Sequence, residues 1–149
     1  MTEVLFYHLT ERTLEQVLPG LLERCIDRDW RTVVQFGTEE RMAVIDSHLW
    51  TYRDESFLPH SCLRDGNEQA QPVWLTTDTD NPNEANIRFM VDAAIPPDLE
   101  PYTRGVYIFD GHDNTALDAA RERWKIEKDA GHDVNYWQQS ASGKWEKKA

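Results

Sequence analysis

Apolar residues run almost without a break from Val4 to Tyr7, which predicts a strand over Glu3–Leu9 covered on both faces. A turn follows at Thr10–Thr13. Thr13-Leu14-Glu15-Gln16 fits a capping box, and Leu14, Val17, Leu18, Leu21 and Cys25 then recur at helical spacing. Pro19 falls inside this helix and should bend it or end a first turn there, because it removes a backbone donor. Arg31–Phe36 reads as a second strand ended by Gly37. Thr38 caps a second helix to about Leu49, with Met42, Ile45 and Leu49 facing inward. Strand, helix, strand, helix is the opening of an α/β domain with parallel neighbours.

After a long loop over Tyr52–Gln71, strands are predicted at Pro72–Thr77 and Ile87–Ala93. The polar turn between them is short enough for a hairpin, which would make the sheet mixed. Ile95-Pro96-Pro97 breaks the chain, and Val106–Phe109 is again a strand. Asp113 or Asn114 caps the last helix, which covers about 114–130 and stops at Gly131. Val134, Tyr136 and Trp137 follow, and a turn at 140–143 leads into a basic tail of about 140–149. The expected architecture is a single α/β domain over 1–149. It is Rossmann-like and three-layered, with a mostly parallel central sheet that is mixed if the hairpin forms.

Composition narrows the function. A chain of 149 residues suffices for one domain without staples. Cys25 and Cys62 form no CxxC or regular spacing, so neither zinc nor a disulfide scaffold is indicated. No apolar run approaches the ~20 residues of a membrane span and no signal peptide is evident, so a cytoplasmic protein is expected. The net charge of −11 argues against direct binding to nucleic acid. It is unevenly spread: residues 1–113 hold 9 Lys and Arg against 21 Asp and Glu, whereas residues 114–149 hold 7 against 6 and include every lysine. A locally basic end on an acidic body suits an acidic peptide, and it equally suits a solvated helix face with a basic tail.

Catalytic signatures are missing. His8-Leu9-Thr10-Glu11-Arg12 after the first strand contains no glycine, and neither GxGxxG nor GxxxxGK[ST] occurs. His48, His60 and Cys62 lack metal-ligand spacing, and Asp65 and Glu68 disfavour a Cys62 thiolate. No catalytic residue, metal or cofactor is therefore expected.

Two stretches suit binding. In His48–His60, Trp50 and Phe57 stand seven residues apart around charged residues, either as anchors of a partner interface or as lids on the edge of the core. On the last helix, Leu117, Arg121, Trp124, Lys125 and Lys128 share one stripe, while Ala116, Ala119, Arg123, Ile126 and Ala130 share the side expected to face the sheet. Cations beside an aromatic wall fit a short peptide with carboxylates and an apolar end; an ordinary exposed face with i,i+4 charges is the plainer alternative.

Three motifs occur in order along the chain: Phe6-Tyr7-His8-Leu9; Leu49-Trp50, a charged insert, then Glu55-Ser56-Phe57-Leu58-Pro59-His60; and Ala120-Arg121-Glu122-Arg123-Trp124-Lys125. Together they resemble the chi subunit family of bacterial DNA polymerase III holoenzyme. The resemblance implies a non-catalytic accessory subunit of the clamp loader. Such a subunit contacts psi, or another replication or repair protein, and grips the acidic C-terminal tail of single-stranded-DNA-binding protein. Arg121, Trp124 and Lys125 fall where that family binds the tail, and Trp50 and Phe57 on its psi-facing surface. Leu117 departs from the family, whose better-known members are basic there, and Lys128 partly compensates. The rival readings are a small nucleotide-binding α/β enzyme and an interaction adaptor unrelated to replication.

Overall fold

A computed structural model describes residues 2–51, 61–62, 73–77, 85–91, 94–95, 99, 102–142 and 144–148. In chain order the elements are β1 (Glu3–Leu9), α1 (Leu14–Asp27), β2 (Thr32–Gln35), α2 (Glu39–Thr51), β3 (Ser61–Cys62), β4 (Val73–Thr76), β5 (Ile87–Met90), β6 (Arg104–Asp110), α3 (Asn114–Asp129), β7 (Asp133–Gln139) and β8 (Trp145–Lys147). Among the described residues the strands form one sheet in the order β3-β4-β2-β5-β6-β1-β7-β8. Every pairing is parallel except that of β7 with β8.

Three layers result. Alternation along β1 sends Leu5 and Leu9 to one face, where they join Leu14, Leu18 and Leu22 of α1 and Ile45 of α2. Val4 and Phe6 point to the other face, against Tyr107 of β6 and Ala120 of α3. Both faces are covered, which is why β1 reads as a continuous apolar run. The α/β expectation holds, with a mostly parallel sheet.

The structure departs from the sequence reading in several places. β4 and β5 make no hairpin; each lies parallel to β2, one on either side of it. The mixed pairing instead lies at the C-terminal edge, where Gln139 pairs with Trp145 across the β7–β8 turn. One local expectation holds: the capping box of α1 forms, with Gln16 Oε1 accepting from Thr13 N at 2.9 Å. Pro19 does not end a turn, for α1 runs on through it to Asp27. A proline there leaves the Glu15 carbonyl, four residues earlier, without its helical donor. His48 of α2 supplies the replacement, its Nε2–H donating to Glu15 O at 2.7 Å. A residue weighed as a metal ligand is therefore a splice between two helices.

Candidate peptide-binding surface

α3 begins on Asp113, whose carboxylate accepts from Thr115 N at 2.9 Å and Ala116 N at 3.3 Å. It ends before Gly131, which takes a left-handed φ of 86°. Its rotation about its own axis is set by a polar lock. Glu127 is buried, and its Oε1 accepts from Arg123 Nη2 at 2.7 Å and from the Tyr107 hydroxyl at 3.1 Å, while Arg123 Nε donates to that hydroxyl at 3.1 Å. Burial pushes the Tyr107 phenol well above its ordinary pKa, and the Glu127 charge adds to the shift.

That lock corrects the inward face expected for α3. Ala120 and Glu127 are the buried positions, whereas Ile126 is 44% exposed and Ala130 is exposed. The core direction therefore lies between the two predicted stripes. Trp124 leans onto the sheet, edge-on to Phe6 with ring centroids 5.4 Å apart and to Tyr136 at 5.8 Å. Leu117 is half-buried two turns earlier on the helix, and Lys128 Nζ sits 5.4 Å from the Trp124 ring centroid. Lys125 is exposed. Arg121 has 74% of its side chain in solvent, with only a loose 3.7 Å contact to Asp118. The predicted stripe is thus made of two half-buried apolar side chains, Leu117 and Trp124, with three cations in water on the same helix.

The sheet continues this surface with residues the sequence reading did not single out. β1 pairs with β6 and β7 so that Tyr107, Phe6 and Tyr136 form one row across the face under α3. Phe6 stacks on Tyr107 at 4.7 Å, and the next row places Phe109 beside His8 at 5.1 Å. His8 Nδ1 lies 2.6 Å from the Tyr136 hydroxyl. Alternation of Val134 and Tyr136 was the available signal, masked because Trp137 packs on the opposite face and Gln138 follows on this one.

Trp50 lies in the last turn of α2; its side chain, and Phe57 and His60 entirely, fall outside the described residues. Among the described residues no His, Cys, Asp or Glu group is placed to hold a metal ion.

The nucleotide alternative has a definite place to be tested. α1 leaves β1 across one face of the sheet and α3 leaves β6 across the other. A crevice of about 730 Å³ opens there, lined by Thr10, Arg12, Phe109, Asp110, Ala116 and Ile126 among others. In nucleotide binders the first loop's amides would turn to a phosphate. Here the N–H groups of Thr10, Glu11 and Arg12 all converge on Gln139 Oε1 at 3.0, 3.1 and 3.1 Å, and the Thr10 hydroxyl donates to the Gln139 carbonyl at 2.9 Å. The anion nest is filled by the chain's own β7, and the start of α3 by Asp113.

A family model described as DNA polymerase III chi subunit, HolC, matches residues 1–135. A protein of Rickettsia prowazekii (strain Madrid E) named "Probable DNA polymerase III subunit chi" is 24% identical over 91 residues, which cover 61% of this chain. The match spans 55% of that relative's length, little more than half of it.

Proposed function

This chain belongs to the DNA polymerase III chi subunit family, and from that premise we propose that it is a non-catalytic accessory subunit linking the clamp loader to single-stranded-DNA-binding protein. Residues 1–149 act as one domain in the cytoplasm. The link is made by holding the partner's acidic C-terminal tail on Leu117, Arg121, Trp124, Lys125 and Lys128. Trp50 and Phe57 face a second protein, either psi or another replication or repair factor. Contact with DNA runs through the single-stranded-DNA-binding protein, since a body of net charge −11 repels phosphates.

The supporting observation is the pairing of a half-buried Trp124 floor with Arg121, Lys125 and Lys128 in solvent on the same helix. An apolar terminal side chain can cover the indole while carboxylates meet the cations. Arg121 is held only by an exposed contact to Asp118, which is worth little and yields readily to a ligand carboxylate. Because Arg121 stands in water, its removal should cost about 1–2 kcal/mol of binding, roughly 5–30-fold in Kd. Fluorescence anisotropy with a labelled acidic peptide ending in an apolar residue measures this for Arg121→Ala. Unchanged affinity would remove the site from α3.

A further inference from the structure

The tail surface proposed above ends, on its sheet side, in a direct side-chain hydrogen bond between His8 and Tyr136. His8 and Tyr136 come from β1 and β7, and His8 Nδ1 meets the Tyr136 hydroxyl at 2.6 Å. Gly111 keeps His8 in this position: a Cβ at 111 would lie 2.0 Å from His8 Nε2 and 2.7 Å from the Leu9 carbonyl. His8 rests against Phe109, and Tyr136 rests against both Phe109 and Trp124. Tyr136 is thus in contact with the Trp124 ring, over which Lys128 sits and on whose helix Arg121 and Lys125 stand exposed. It lies just beyond the residues 1–135 matched by the family model.

We propose that His8 and Tyr136 form the sheet-side half of the tail site: the Tyr136 hydroxyl donates to a tail carboxylate that Arg121 also holds, and His8 takes up a proton as the tail binds. The inference rests on the tail reading and adds to it two contact residues and a proton. Its chemistry rests on the 2.6 Å bond and on the neutral imidazole carrying its hydrogen at Nε2, since an Nδ1–H tautomer would already donate to the phenol and take up no proton. In the neutral Nε2–H tautomer, His8 Nδ1 accepts the phenol hydrogen, so Tyr136 offers only lone pairs outward, which repel a carboxylate. A protonated imidazole can only donate, so Nδ1–H turns to the phenol oxygen and the phenol hydrogen is released toward the ligand. The proton comes from solvent and no covalent bond changes.

The groups facing His8 set the direction of this linkage. Burial depresses its pKa below the ordinary imidazole value; His112 and Arg121 push the same way, and Asp110 opposes them. The same Arg121 charge favours an ionised Tyr136, although burial holds that phenol above its usual value. A carboxylate arriving between Arg121 and Tyr136 offsets the Arg121 repulsion and adds an attraction, so the imidazole pKa rises on binding. Affinity is then greatest below the free-state pKa of His8 and falls as pH rises through its value in the complex.

Isothermal titration of the whole chain with a synthetic acidic peptide ending in phenylalanine, at pH 6.5 in two buffers of different ionisation enthalpy, reads the proton directly. The expected result is fractional proton uptake per peptide bound, lost in His8→Gln. Affinity should gain about five- to sixfold between pH 7.5 and pH 5.5 if binding lifts the imidazole by one unit, the tenfold limit being reached only over a wider pH range. Tyr136→Phe, which keeps the ring contacts, should weaken binding about tenfold at pH 6. Binding by the wild type without proton uptake, uptake that persists in His8→Gln and vanishes in His112→Gln, or an unchanged Kd in Tyr136→Phe would each overturn the inference. Arg121→Ala is the control that separates the two readings. If it leaves binding unchanged, the tail site itself fails; if it weakens binding while the proton signal is absent, only the His8–Tyr136 inference fails.

Discussion

Replacing Gln139 by alanine should be the most damaging single polar change described here, and its size can be worked from the bonds. The side-chain oxygen accepts three backbone N–H groups, from Thr10, Glu11 and Arg12. A neutral hydrogen bond contributes about 0.5–1.5 kcal/mol net, so three give about 2–4 kcal/mol, provided water does not replace them fully. Gln139 is 4% exposed, which limits that replacement, although Glu11 and Arg12 themselves are exposed. Urea melts of wild type and Gln139→Ala would give the difference at constant slope. The three amides left behind form an empty anion nest, so millimolar sulfate should restore part of the lost stability in the variant and none in wild type. A loss below about 1 kcal/mol, with no sulfate effect, would show that water serves these amides well enough. Gln139 could then no longer explain why the crevice lacks a phosphate site.

Two further outcomes are expected. His48→Ala should cost about 1 kcal/mol, and less in a Pro19→Ala background, where residue 19 regains the N–H that serves Glu15 O; equal costs in both backgrounds, by chemical denaturation, would refute the splice between α1 and α2. Trp50→Ala combined with Phe57→Ala should leave the urea midpoint nearly unchanged while costing about 2 kcal/mol or more in binding the second protein partner; a collapsed midpoint would instead place these aromatics in the core.

The sequence made the strongly periodic parts of this fold legible. β1, β2 and β6 are buried on both faces and appear as apolar runs, and α1 shows its stripe at Leu14, Leu18 and Cys25, although Leu22 is fully buried where Leu21 was expected. β7 was harder because nearly every residue in it is half-exposed, so polar and apolar side chains interleave without a clean face. The phase of α3 was misjudged because its deepest polar residue is Glu127. A carboxylate is rarely buried without partners, and those partners, Arg123 and Tyr107, meet it only after folding. Gln139 is further out of reach, since its three amide partners lie at least 127 residues away along the chain. Local patterns report faces and ends; they carry no record of which distant side chain closes a loop.

The central claim is that an acidic tail lies on the surface formed by α3 and Tyr136 of β7, and amide NMR of the whole chain titrated with the tail peptide tests it most directly. The account predicts shifts concentrated at Leu117, Arg121, Lys125, the Trp124 indole N–H and Tyr136, all weakening together as salt is raised. Shifts gathered instead on residues 10–13 and 110–113 at the crevice, with Trp124 unmoved, would contradict it.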